Sequence, residues 1–218
     1  MANSFEQEQV AQDLHSIPML AENMVYRLPG ADNVAVRKAL LSAYRDFCRL
    51  SSCYCHRLEI ELERDEREYP VPSLVSETFV DSITEVRLNG RKLIAPRDYT
   101  IAGGTTKVIL LACHLVPEWS FRPHFRGKLV ITSIDQPKHG SEKAPRWFFD
   151  KYGEAVVAGA LVKLFSQTGK AWSDAEQARQ EQIRWENFLT DTRFRTVYTL
   201  DGASGSGGFS ALDTSVLL

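Results

Sequence analysis

No stretch of the sequence approaches the ~18 consecutive apolar residues of a membrane-spanning helix, so no role inside a bilayer is expected. A charge of one sign is missing as well. Lys and Arg number 26 against 28 Asp and Glu, a formal net charge of −2. No global field therefore draws the protein onto nucleic acid or an anionic membrane. Cysteine is scarce: Cys48, Cys53, Cys55 and Cys113. Cys53-Tyr54-Cys55-His56 has a tighter spacing than structural zinc sites use, and no second pair answers it, so the reading is reduced structural thiols and no metal. The opening residues, MANSFEQEQVAQDL, are acidic and polar, unlike a secretory leader, and a protein made and kept in the cytosol is expected.

The usual signatures of catalysis are missing too. The glycines of residues 202–208 are followed by no Gly-Lys-Ser/Thr and open no helix, which excludes a phosphate-binding loop. Ser204 and Ser206 lack the flanking glycines of a nucleophile elbow. There is no HExxH pair and no EF-hand loop. His15, His56, His114, His124 and His139 are scattered over turns and strand ends. Glu59, Glu61 and Glu63 repeat at every second position and share a strand face; such a row can bind a cation but is the ordinary pattern of a solvated face. Neither an enzyme nor a cofactor is expected.

What the sequence does contain is organised around Pro145–Phe165. A proline opens this run at no cost, because first-turn amides have no intrahelical partner. Phe149, Tyr152, Val156, Ala160 and Leu164 form one apolar stripe, with Phe148, Ala155, Gly159 and Val162 beside it. Gly153 and Gly159 each cost roughly 1 kcal/mol against alanine, which predicts the close approach of another backbone. An earlier helix is predicted from about Val34 to Arg49, with Asp32 or Asn33 as its N-cap. Residues 1–28 carry only a weak helical pattern, an arm or a short helix or two. A last helix is predicted from a capping box at Ser173–Glu176 to about Arg195, with a narrow apolar stripe of Ala175, Ala178, Ile183, Trp185, Phe188 and Leu189.

From Tyr54 the period changes to two. His56–Arg64 alternates, placing Leu58, Ile60 and Leu62 on one face. Prolines confine Glu68–Pro72 to an edge. Thr84–Leu88, Asn89-Gly90 and Arg91–Ile94 form a hairpin signal, since Asn-Gly supplies two positive φ angles. Asp98–Ile101, Lys107–Leu111 and Lys128–Ser133 read as further short strands, and Gln136–Lys143 as a polar linker. The predicted fold class is α+β: a helical-bundle subdomain with an inserted small antiparallel β-sandwich or barrel and a flexible C-terminal tail. The expected divisions are 1–53 (arm and first helix), 54–136 (β module), 137–200 (two helices) and 201–218 (tether and tail).

Two further stretches suggest contact surfaces. The connection His114–Arg126 mixes aromatic and basic residues, Trp119, Phe121, Arg122, His124, Phe125 and Arg126. It reads as an anchored loop or subunit contact, or alternatively as a nucleic-acid platform. The Gly/Ser tether beginning at Asp201 leads to an apolar peptide with Phe209, Leu212, Val216, Leu217 and Leu218. Exposed apolar ends invite aggregation, so docking on a partner is the expected use.

The order of four stretches resembles the head-to-tail adaptor (connector, or head-completion) proteins of tailed bacteriophages, including tail tubular proteins. These are Pro29-Gly30 with Val36–Leu40 and Tyr44–Cys48; Tyr69–Pro72; Ile83–Gly90 with Tyr99; and Pro145 with Tyr152–Leu161, followed by Trp172–Ala175. The resemblance implies a virion protein at the head-tail junction, assembled in the host cytoplasm. It would form a homo-oligomeric ring, usually of twelve copies, under the portal protein. Such a ring extends the DNA channel and receives the tail or nozzle protein, and a net negative charge lets DNA slide through. In that setting Arg184, Trp185 and Phe188 are expected at subunit contacts and the 209–218 peptide on the portal or a neighbour. A nucleic-acid-binding or other phage-encoded interaction module without catalysis is the alternative; an enzyme with a carboxylate or Cys–His site is the other rival.

Overall fold

An apolar run opened by proline makes a long buried helix, and alternating runs separated by turn residues make antiparallel strands. The computed structural model describes residues 13–62, 66–111 and 127–202, with the side chains of Val25 and residues 197–202 left aside. The strands are β1 (Leu14–Ser16), β2 (Cys55–Glu61), β3 (Glu68–Pro70), β4 (Thr78–Leu88), β5 (Arg91–Lys92), β6 (Tyr99–Ala102), β7 (Lys107–Leu110), β8 (Lys128–Pro137) and β9 (Lys143–Pro145). The α-helices are α1 (Asn33–Ser51), α2 (Arg146–Phe165) and α3 (Ala175–Gly202). The protein is thus of mixed α+β class with antiparallel sheets. Its described residues divide into two compact units: those up to Ser51 with His139–Val197, and Ser52–Lys138 with residues 198–202.

In the helical unit α2 is apolar around most of its circumference and packs on α1. Tyr44, Phe47, Phe148 and Tyr152 meet ring to ring, with centroids 5.1 Å apart for Tyr44–Phe148 and 5.2 Å for Phe47–Tyr152. Asp32 caps α1 by accepting from the Val34 N–H at 3.2 Å. The weak pattern before Pro29 resolves into β1 and two 3₁₀ turns, Ile17–Asn23 and Val25–Arg27. β1 pairs with β9, so Lys143, expected in a linker, is in a strand. The other end of that expected linker is in a strand as well, since β8 runs on to Pro137.

The start and the end of α3 depart from expectation by small steps with clear causes. Ser166 caps α2, and Gly169 takes its positive φ of +74° in the turn beyond. Asp174, not Ser173, caps α3: its Oδ1 accepts from the N–H groups of Glu176 and Gln177, both at 3.0 Å. The Ser173 hydroxyl is taken up by the preceding turn, bonding to the Gln167 carbonyl and accepting from the Lys170 N–H. α3 also runs seven residues past Arg195, through the first residues of the expected tether.

The second unit holds a four-stranded sheet, β2-β8-β4-β5, and a three-stranded sheet, β3-β7-β6. Asn89 and Gly90 take φ of 50° and 84° at the β4–β5 turn, as Asn-Gly favours. A single apolar cluster joins residues of both sheets, among them Tyr69, Val86, Val108, Leu129 and Ile131, with Leu58 and Ile60 packed against it. The sheets do not close into a barrel. β2 and the two-residue β5 end one, while β3 and β6 end the other, and no ladder links these edges among the described residues.

Candidate interaction surface

The last helix was expected to offer Arg184, Trp185 and Phe188 to a neighbouring subunit, and the structure separates the three. Trp185 is only 8% exposed and is taken up within its own chain. Its indole lies over Gly159 of α2, where a Cβ would come within 2.5 Å of the ring. Its ring centroid is 5.5 Å from that of Phe47 on α1. Gly159 therefore admits an aromatic ring, where the sequence suggested another backbone. Arg184 is exposed; its Nη2 donates to Glu154 of α2 at 2.7 Å and its guanidinium lies over the half-buried Phe188 ring.

The inward side of α3 is a stripe of Glu181, Trp185, Leu189 and Thr192, all buried. Arg27, from the second 3₁₀ turn, donates to Glu181 at 2.7 Å and to Gln177 at 3.2 Å. Farther along, Arg193 donates to the Leu50 carbonyl at the end of α1. These contacts fix the helix by geometry more than by energy, because a buried ion pair largely repays its own desolvation. The outward side carries Ile183 and Phe194, 49% and 60% exposed and three turns apart on one stripe. Sequence reasoning put Ile183 on one stripe with Trp185, and the structure turns the two to different sides; Phe194 was not singled out, although two bulky apolar residues eleven positions apart on a polar helix are a readable signal.

The Trp119–Arg126 residues of the aromatic-basic connection and the Phe209–Leu218 peptide lie outside the described residues. Glu59 and Glu61 are exposed on one strand face; Glu59 pairs with Lys128 and with Arg57, and Glu63 lies outside the described residues. Among the described residues no group of three His, Cys, Asp or Glu is arranged to hold a metal ion. Two open hollows of about 390 and 380 Å³ lie on the helical unit, one walled by Arg27, Phe165 and Trp172, the other by Val34, Lys38 and Lys163. Neither brings a histidine or a cysteine to its wall.

One polar constellation was not visible in the sequence. In the second unit, Ser133 and Asp135 of β8 meet His56 of β2, a nucleophile–base–acid composition. Its geometry is not that of a nucleophilic relay. Ser133 Oγ lies 3.2 Å from His56 Nε2 and 3.4 Å from Nδ1, beside the ring edge and in line with neither nitrogen. Ser133 is also fully buried, which closes the hydroxyl to a substrate. Next to it, burial and the negative charge of Asp135 push the Cys55 thiol up to about 11, so it stays protonated and unreactive. No family model and no curated protein matches this sequence.

Proposed function

We propose that the protein is a head-to-tail adaptor of a tailed bacteriophage: a structural subunit that closes into a ring under the portal, extends the DNA channel and receives the tail. In this reading the helical unit is a bundle subdomain, interrupted in sequence by a small β-sandwich. Its outward α3 face meets the next copy, and the Phe209–Leu218 peptide docks on the portal or a neighbour. One observation carries the proposal beyond the resemblance. α3 is anchored on its inner side by Trp185, Leu189 and the Arg27–Glu181 pair, and turns Ile183 and Phe194, 49% and 60% exposed, to its outer side, one stripe on which a neighbouring copy can pack. The contact expected of Trp185 passes to this pair, with Arg184 at its flank.

Native mass spectrometry of the purified chain, alone and mixed with a portal ring, tests the reading. Closed multimers are expected, with Ile183→Asp/Phe194→Asp reduced to monomers that keep the wild-type circular dichroism. A wild-type chain that stays monomeric at hundreds of micromolar and ignores the portal overturns it. Removal of residues 203–218 is expected to abolish portal binding; unchanged binding refutes the docking role of that peptide.

A further inference from the structure

The hollow beside the second 3₁₀ turn has a wall that is already fixed. Arg27 donates to Glu181 and Gln177 of α3, and its guanidinium lies 5.9 Å from the centroid of the Phe165 ring at the end of α2. Pro29 and Trp172 continue the apolar lining, and at about 390 Å³ the space falls in the range that binding pockets occupy. Lys170 is exposed; its Nζ stands 5.8 Å from the centroid of the Trp172 ring, and it makes no ion pair among the described residues. Tyr26, the residue before Arg27, is 94% exposed. The hollow thus combines aromatic surface with an unpaired positive charge beside it.

The segment 203–218 complements it. Asp213 is its only charged side chain, and Phe209, Leu212 and Val216 recur at i, i+3 and i+7, the anchor spacing of a helix laid in an apolar groove. Reach decides whose hollow this segment can fill. The hollow is walled by Gln177, in the first turn of α3, whereas the segment leaves α3 at its other end, after Gly202. The 25 residues of helix from 177 to 202 rise about 37 Å. Phe209 follows Gly202 by seven residues, and seven residues fully extended span at most about 25 Å. Phe209 therefore falls short of the hollow in its own chain. We propose that the Phe209–Leu218 peptide of one copy docks in the Arg27–Trp172 hollow of a second copy, Phe209 seated against Phe165 and Trp172 and Asp213 toward Lys170. This gives a location to the peptide docking proposed above and rests on that reading for the copies to meet in a ring. Each copy gives one peptide and receives one on a different surface, a head-to-tail contact of the kind that closes rings.

The full chain with the photo-cross-linker p-benzoylphenylalanine in place of Phe209 tests the proposal. After irradiation the products are sized under denaturing conditions and the joined peptides are identified by mass spectrometry. Covalent dimers and higher multimers are expected, joined from position 209 to residues 26–29 or 165–177. Lys170→Glu should lower their yield about fivefold, the effect of one surface ion pair at the upper end of its range. Asp213→Lys in the same chain should restore it. Cross-links only within single chains, cross-links elsewhere on a neighbour or on an added portal ring, no cross-links at all, or a yield that Lys170→Glu leaves unchanged overturn the proposal. Closed multimers cross-linked elsewhere remove this seat and leave the adaptor reading standing. The expected cross-links in a chain that ignores the portal keep the seat and remove that reading.

Discussion

The helical unit and the sheet unit close their interiors in different ways. Around α2 the interior joins the rings of Tyr44, Phe47, Phe148 and Tyr152 to aliphatic side chains such as Leu40, Leu161 and Leu164, and one ring, that of Trp185, is seated on a glycine, Gly159. Between the two sheets the interior begins aliphatic, with Leu129 and Ile131, and ends in Ser133, His56 and Asp135. The lesson is about what each interior is sensitive to. A densely packed apolar interior responds to volume, because it cannot absorb a missing or added atom cheaply. An interior with a polar end depends in addition on each buried donor and acceptor finding its partner, because one left unpaired there is costly.

Breaking the fit around α2 should give the largest effect. Trp185→Ala is expected to destabilise the helical unit by about 3–5 kcal/mol, read as a fall in its midpoint in urea, with exchange protection in β4 and β8 unchanged. Loss of protection in both units would mean that they do not unfold separately. Ile131→Ala makes the same comparison from the other side and should cost the sheet unit about 2–5 kcal/mol, leaving α1 and α2 protected. Gly159→Ala adds one carbon under the indole and should cost about 1–3 kcal/mol, detected as a red shift of the Trp fluorescence together with the lost stability. Asp174→Ala removes the α3 cap and should cost about 1 kcal/mol, with fraying confined to the first turn of that helix.

The smallest effect at neutral pH belongs to the sheet unit. Asp98 is 1% exposed; the Arg97 guanidinium, then the Ile94 N–H, hold its carboxyl at about 2, below the usual carboxylate range. A folded-state value below the unfolded one contributes stability above about pH 3.9, and that contribution drains away as pH falls through about 2. Asp98→Asn should therefore cost less than about 1 kcal/mol at pH 7, since Arg97 is half exposed and screened. It should flatten the loss of stability between about pH 4 and pH 2, measured by acid-dependent thermal melts.

Much of this was legible from local pattern. The period-two run of β2, the Asn89-Gly90 turn and the apolar run of α2 each depend on neighbours in sequence, and each formed where the pattern placed it. β8 was read only to Ser133 because Asp135, Gln136 and Pro137 break its apolar character, although Asp135 is inside. Trp185 was read as outward because a bulky residue on a polar helix looks unpartnered, and its seat on Gly159 is 26 residues away. The His56–Asp135 pair, 79 residues apart, and the Arg27–Glu181 pair, 154 apart, left no local trace at all. Pairings of that kind become visible only when topology brings strands or helices together. The outward pair Ile183 and Phe194 is the exception: Ile183 was placed on the stripe of Trp185, and its readable eleven-residue spacing to Phe194 was passed over.

The notch at position 159 also makes a statement about descent. Because the indole occupies the space where a β-carbon would stand, positions 159 and 185 are not free to drift independently. A lineage that acquires a side chain at the first must shrink the second, and one that trades the tryptophan for a small residue no longer needs the glycine. Related sequences should show these two positions changing as a pair.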